Sequence, residues 1–385
     1  MTVTDQRLLP VVEALSAGRS KILSVDVFDT LLWRRVPEPS DVFLLLWQKL
    51  KNVGRLATHI SPVAFAELRR SAQTSARARA FAASGSREVA LADIYAELPD
   101  IIFADNFPAS ERVAAELACE RDLMVLDDDV VALMAHAKDS GAKVVLVSDT
   151  YFNSEHLNEF LRTSGFRDQS LVDRLFVSCE IGRPKFIDLF DFVLKELNVQ
   201  PGELVHIGDN PIADIHPCEA RGIPSVHYDK WNFSPRAQVK EFPESRVGRL
   251  ALLGDVGDCG LTGLRSRLYH RVPEDVDGGL QSYWRYGASV LAPVFAGFAR
   301  WVVESCEAEN VVRIFGIMRE GRFLGRAVEV AAGQLGVNLK VEELWLSRRA
   351  VIRAALFEDD LIFALRSDLI KSGDEQRRGV GWTWT

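Results

Sequence analysis

The sequence predicts an α/β protein with a Rossmann-like parallel sheet, an inserted helical cap and a second, C-terminal α/β domain. Three observations predict this. Short apolar, β-branched runs that end in turn-like segments recur at residues 21–26, 143–148, 174–178, 204–207 and 224–227. Helix-length amphipathic segments, for instance 154–163 and 186–197, separate the later runs, which is the pattern of βαβ units with right-handed crossovers. The first two runs are separated by residues 35–124, far more chain than a crossover needs.

That insert reads as a helical lid. Ser40 is placed to cap a helix over 42–49, and 65–81 is rich in Ala and Arg, both good helix formers. The expected division is a core of residues 1–34 and 125–234, a cap of 35–124, and a C-terminal domain of 245–385. Residues 235–258, with Pro243, scattered Gly and several charges, read as linker. The C-terminal domain should hold a helix over 281–303. A strand over 311–317 should lead into Met318-Arg319-Glu320-Gly321, and another over 341–346 into Ser347-Arg348-Arg349.

Composition narrows the function classes. A formal net charge of −8 argues against a protein whose main task is gripping nucleic acid, since that rests on clustered Lys and Arg. The five cysteines form no CxxC pair, so zinc-ligand spacings are missing and reduced, buried thiols are expected. Residues 1–20 lack a basic start followed by a long apolar block, so no secretory leader is read there. The apolar stretch 290–298 is too short to span a bilayer and reads as part of a buried helix. These features predict a cytoplasmic protein without a membrane span.

Four segments carry the chemistry. Asp26-Val27-Phe28-Asp29-Thr30 follows the first strand and Ser148 ends the second. Lys185, within Gly182-Arg183-Pro184-Lys185, follows the third, and Gly208-Asp209-Asn210-Pro211-Ile212-Ala213-Asp214 follows the fourth. In a parallel sheet all four lie at the carboxyl edge, where open α/β folds bind ligands. Clustered carboxylates repel one another unless a cation sits among them, and hard oxygen ligands suit Mg2+. A carboxylate beside Mg2+ can attack phosphorus and form a covalent intermediate, with Lys185 and the Ser148 hydroxyl holding the developing charge.

The order and context of these segments resemble the four motifs of the haloacid dehalogenase-like (HAD) hydrolase superfamily. The resemblance implies Asp26 as nucleophile and Thr30 as a phosphate-binding group. It implies Mg2+ held by Asp26, the Phe28 carbonyl, Asp209 and Asp214, with Asn210 beside the substrate. The insert 35–124 matches the position of the superfamily's helical cap. The departure is Phe28: phosphatases of this type usually carry a second Asp there to protonate the leaving group, and dehalogenases an aromatic residue. Asp29 could take the acid's part if the turn is displaced by one residue. Arg183 is an alternative to Lys185 as the phosphate contact. More widely, the segment 24–34, Phe65-Ala66-Glu67-Leu68-Arg69, Ser148-Asp149-Thr150-Tyr151, Arg319-Glu320-Gly321 and 345–350 resemble bacterial HAD-like hydrolases associated with surface-polysaccharide genes.

In the cap, Arg69, Gln73 and Arg77 are spaced by four and share one helix face. They could grip an anionic substrate, or form a solvated basic face with internal ion pairs. Arg319, Arg322, Arg348 and Arg349 at two strand ends suit either a second anion site or structural salt bridges. His206 and His216 have no partner visible in the sequence. The expected activity is therefore Mg2+-dependent phosphohydrolysis of a small phosphorylated metabolite, such as a sugar phosphate or nucleotide sugar. The alternatives are a catalytically weak binding or assembly module on the same core, and a C–halogen dehalogenase. The polysaccharide association implies a glycosyltransferase or assembly partner. Oligomeric state has no sequence signal.

Overall fold

The computed structural model describes residues 2–36, 38–229, 267–273, 275–318 and 320–346. The chain divides into two compact units, Met1–Val290 and Leu291–Thr385.

The first unit is built on five parallel strands: β1 (Ile22–Val25), β4 (Lys143–Ser148), β5 (Arg174–Val177), β6 (Leu204–Gly208) and β7 (Ser225–His227), in the spatial order β5-β4-β1-β6-β7. Two short strands, β2 (Leu32–Arg34) and β3 (Met124–Leu126), form a separate antiparallel pair. β1 lies at the centre, in register with Lys143–Leu146 on one side and Leu204–Ile207 on the other. Its four residues are all buried, as expected of a strand covered on both faces. Alternation sorts the side chains. Leu23, Val25, Val144, Leu146, Val205 and Ile207 enter the larger core with helices α1 (Leu9–Ser16), α6 (Asp128–Asp139) and α7 (Ser154–Thr163). Ile22, Val145, Val147 and Leu204 enter the other, against Leu189, Phe190 and Val193 of α9 (Leu189–Leu197).

The β2–β3 pair brackets the insert, so the chain leaves for the cap and returns along one hydrogen-bonded ribbon. This pair has no clear sequence signal, because each strand is only three residues long. The cap holds α2 (Val42–Asn52), α3 (Pro62–Ser84), α4 (Leu91–Ala96) and α5 (Ala109–Leu123). Ser61, not a residue of the expected 65–81 segment, caps α3 by accepting from the Ala64 amide at 3.2 Å. Ser40 is not an N-cap: it lies inside the 3-10 turn Pro39–Asp41, which Glu38 and Asp41 close with a capping box.

The cap interior is held by a buried ion pair. Arg69 is fully buried and forks onto Glu116 of α5, with Nε and Nη2 each 2.7 Å from a carboxylate oxygen. The Tyr95 hydroxyl donates to the same carboxylate at 2.8 Å, and the guanidinium lies over the rings of Phe43, Tyr95 and Tyr151. Removing one member of such a pair strands the other charge in an apolar interior. Arg69→Ala should therefore lower stability by about 3–5 kcal/mol, read from the urea midpoint. The double replacement Arg69→Met with Glu116→Met should recover most of that loss.

In the C-terminal part, helix α11 (Gln281–Ala308) runs 28 residues, longer than the 281–303 expected. By length and composition it could cross a membrane, and 17% of its apolar window is buried. The stretch 290–298, expected to be buried, has no buried residue, and Val294 and Phe298 are exposed. Burial begins just beyond it, where Ala299, Val303 and Cys306, at helical spacing, pack against Val328 and Ala332 of α12 (Gly321–Leu335). Strands β8 (Arg313–Ile317) and β9 (Lys340–Leu344) pair in parallel, as βαβ chemistry predicts. Arg322 is committed to a salt bridge with Glu343 at 2.9 Å. Arg319, Arg348 and Arg349, like the expected linker 235–258, lie outside the described residues. Cys119, Cys179, Cys218 and Cys306 are free thiols.

Candidate active site

The carboxyl ends of β1, β4 and β6 and the loop after β5 deliver the acidic cluster. Asp26 follows β1 directly, its amide bonded to Ile207 O at 2.9 Å, which ties the end of β1 to β6. The chain then turns sharply. Val27 O accepts from both Leu31 N and Leu32 N, and Asp29 adopts φ +58°, a left-handed conformation that Asp tolerates better than most residues. On the β6 side, Asn210 Oδ1 accepts from the amides of Ile212 and Ala213 and caps the turn Pro211–Ile215. Asn210 thus holds its own loop, and its backbone amide donates to Asp214 Oδ2 at 3.0 Å.

Carboxylate oxygens of Asp26, Asp209 and Asp214 all lie within 4.8 Å of one another. Lys185 is buried among them, donating to Asp26 Oδ1 and, at 2.6 Å, to Asp214 Oδ1. Arg183, the alternative, is exposed and paired with Asp188, so the loop sends Lys185 inward and Arg183 outward. Burial pushes Asp26 up to about 7; Lys185 opposes the rise and Asp214 adds to it. Burial also disfavours charge on Asp214, but Lys185 and a hydrogen bond from His206 outweigh it and hold that group well below the usual carboxylate range. For Lys185 burial is outweighed by the two carboxylates, which hold it above the usual lysine value. The converging donors are hard carboxylate oxygens, which fit a divalent cation such as Mg2+.

Gly208 permits this geometry. A Cβ there would lie 2.3 Å from Asp214 Cγ, so any other residue must push Asp214 aside. Gly208→Ala should fold, since the strand itself is unperturbed. Its turnover should fall by about 100-fold, the effect of a misplacement of about 1 Å, read alongside circular dichroism to show that the fold is retained.

Two hydroxyls stand in the chain segments next to the cluster. Ser148 Oγ and Thr30 Oγ1 are buried and have no hydrogen-bond partner among the described residues. Buried polar groups are normally satisfied, so unpaired hydroxyls at the end of β4 and in the Asp26 loop suit a ligand's oxygens.

His206, which the sequence left without a partner, has two. It is in register with Ser24 across β1 and β6; Ser24 Oγ lies 2.8 Å from Nδ1, and Nε2 lies 3.1 Å from Asp214 Oδ1. Burial lowers the His206 pKa, which favours the neutral ring. A neutral ring serves both contacts if Ser24 donates to Nδ1 and Nε2–H donates to Asp214. His227 similarly contacts Asp209 O at 2.7 Å.

The cap arginines differ in their surroundings. Arg69 is not available to a substrate, because Glu116 and the aromatic rings enclose it. Arg77 is exposed and lines a cavity of about 470 Å3 whose walls also include Phe28, Asp149, Thr150 and Tyr151. The Phe28 ring packs on Phe152 and Phe160, and Arg34 lies 4.4 Å above it. Arg34 also reaches Glu120 at 2.9 Å and Asp29 at 3.4 Å. Asp29 is therefore ion-paired with Arg34.

A parallel sheet with an acidic, lysine-bridged cluster at its carboxyl edge and a cap inserted after the first strand defines a class of α/β hydrolase. A sequence model of the haloacid dehalogenase-like hydrolases matches residues 21–220, more than half of the chain, and the protein belongs to that family. No curated protein matches it. Similar solved structures include a 2-haloacid dehalogenase from Pseudomonas syringae pv. Tomato DC3000, 16% identical, covering 55% of this chain and 88% of that one, with TM-score 0.39. L-2-haloacid dehalogenase from Xanthobacter autotrophicus is 14% identical, covering 61% and 86%, with TM-score 0.41. The HAD-hydrolase YfnB from Bacillus subtilis, bound to magnesium, is 17% identical, covering 54% and 86%, with TM-score 0.36. Likeness at this level bears on neither substrate nor mechanism.

Proposed function

We propose that this hydrolase is a Mg2+-dependent phosphohydrolase that works through an aspartyl phosphate on Asp26. The observation that carries the reading is the convergence of Asp26, Asp209 and Asp214 oxygens within 4.8 Å around buried Lys185. Asp26, Asp209, Asp214 and the Phe28 carbonyl would hold Mg2+, which when bound offsets the repulsion between the nucleophile and an anionic phosphate. An Asp26 oxygen attacks phosphorus, the bond to the leaving oxygen breaks, and the leaving group departs with the electron pair. Lys185, Ser148 Oγ and Thr30 Oγ1 hold the remaining phosphoryl oxygens as charge develops. Water then attacks phosphorus, releasing phosphate and restoring the Asp26 carboxylate.

Phe28 has no proton to give the leaving group. This favours leaving groups stable as anions, such as those of acyl phosphates and phosphoanhydrides, nucleotide sugars among them. A sugar-phosphate or nucleotide-sugar substrate, a cytoplasmic setting and a partner in polysaccharide assembly belong to the same proposal and rest on the resemblance of motifs alone. Phe28 also supports a second reading, a binding or assembly module with weak catalysis. It is equally the residue a C–halogen dehalogenase would carry, but that chemistry gives Asp209 and Asp214 no cation to hold.

The deciding experiment measures phosphate release from sugar phosphates, nucleotides, nucleotide sugars and acyl phosphates, with Mg2+ and with EDTA. Release that requires Mg2+ is expected. Mg2+ binding without release from any compound would transfer the case to the binding module. Halide release from haloacids, insensitive to EDTA, would transfer it to the dehalogenase.

A further inference from the structure

The cavity beside Phe28 has two unlike walls. From the core come Phe28, Asp149, Thr150, Tyr151 and Phe152; from the cap come Phe43 and a stripe of α3, Arg70, Gln73, Thr74 and Arg77. That stripe follows the i, i+3, i+4, i+7 spacing of one helix face. It is a different face from that of Arg69, which turns into the cap interior.

The cations of this region differ in how far they are occupied. Arg69 is locked on Glu116, Arg79 pairs with Glu97 at 2.9 Å, and Arg34, although in the cavity wall, is held by Glu120 and Asp29. The Glu120 carboxylate in the wall is thereby balanced. Arg77 makes no ion pair to a described residue and has only a through-space interaction with Glu88, which lies outside the lining. Arg70 bonds Glu67 through Nη2, at 2.5 Å and half exposed, a type of pair that contributes little. Its Nε–H is buried without an acceptor. An orphaned guanidinium donor and an unpaired guanidinium two turns apart, facing an aromatic wall, lack an anion. Asp149 is the one lining carboxylate without a cationic partner in the wall, and it sits next to Ser148 on the core side, away from the cap stripe in sequence and element.

We propose that Arg70 and Arg77 form a second anion subsite, so that the substrate carries, besides the phosphate presented to Asp26, a further phosphate or carboxylate at its far end. The organic body between them lies against Phe28, Phe43, Tyr151 and Phe152. Guanidinium groups recognise both oxyanions through charge-assisted hydrogen bonds, and the cavity volume suits a hexose-sized body. This inference rests on the phosphohydrolase reading and deepens it.

The test uses the full chain carrying Asp26→Asn, so that no probe turns over, with Mg2+ present. Titration calorimetry compares inorganic phosphate, glucose 6-phosphate, 6-phosphogluconate and glucose 1,6-bisphosphate. At least one doubly anionic probe should bind about tenfold more tightly than glucose 6-phosphate. A gain for 6-phosphogluconate alone identifies a carboxylate subsite, and a gain for the bisphosphate a phosphate subsite. Adding Arg70→Met and Arg77→Met should erase the gain and leave inorganic phosphate and glucose 6-phosphate unchanged, with melting curves showing that the variants fold. Equal binding of singly and doubly anionic probes, or a gain that survives both substitutions, overturns the subsite while leaving the phosphohydrolase intact. If no phosphate compound binds, and inorganic phosphate with Mg2+ fails to bind the wild type as well, the phosphohydrolase reading falls and the subsite with it.

Discussion

Asp26→Asn is expected to lower phosphate release by at least about 10⁴-fold, as loss of a covalent nucleophile does, while the protein stays folded. The amide retains the shape of the side chain but is a far poorer nucleophile. The same substitution should change stability in a pH-dependent way that a surface Asp→Asn change would not show. In the metal-free protein burial pushes Asp26 up to about 7, above its ordinary value of 3.8. A carboxyl with a raised folded-state pKa favours folding when protonated; that contribution is full below 3.8 and is lost as pH rises through 7. Asn pays no such penalty. With EDTA present, the Asp26→Asn protein should therefore gain on the wild type between pH 4 and pH 7 and keep a constant advantage above that. Denaturant midpoints at pH 4, 6 and 8 measure this. An advantage that does not grow with pH would mean that Asp26 titrates as an ordinary carboxyl and is not buried in an acidic cluster.

The sequence made legible what depends on local pattern. Five of the parallel strands, their alternation with helices and the four chemistry-bearing segments are readable because each is a run with its own turn signal. Lys185 over Arg183 was open in the sequence, because two residues of spacing in a loop do not tell which side chain turns inward. What depends on strand order was not legible. His206 finds Ser24 only because β6 lies beside β1 in register, a pairing between residues far apart in the chain. The cap helix shows a subtler limit. Steps of four selected Arg69, Gln73 and Arg77, yet a helix turns by 3.6 residues, and the stripe that meets the cavity is Arg70, Gln73, Thr74 and Arg77. Arg69 could be recognised as internal only once Glu116 of α5 was known to lie opposite. The β2–β3 pair escaped for a third reason: three-residue strands carry too little alternation to distinguish them from a turn.

Lys185→Met is expected to have the largest combined effect on stability and activity. Lys185 is fully buried, and its ammonium is the shared partner of Asp26 and Asp214. Methionine fills nearly the same volume without the charge, so packing is preserved and two carboxylates lose their compensation. Breaking one side of a buried ion pair costs about 3–5 kcal/mol, and here one substitution breaks two. Asp26, already pushed up by burial, should be driven further toward its neutral form, because Lys185 is the group that opposes the rise. The metal-free variant should consequently melt well below the wild type, and more so at pH 8 than at pH 5. Mg2+ placed among Asp26, Asp209 and Asp214 would supply the missing positive charge. Binding to the folded state alone stabilises by the linkage relation, so the Lys185→Met protein should show a larger Mg2+-induced rise in melting temperature than the wild type. Its turnover should remain low, since no ammonium is left to hold a phosphoryl oxygen. Equal Mg2+-induced shifts in the two proteins would show that the ammonium and the metal do not share these carboxylates, and the acidic cluster would lose its standing as a metal centre.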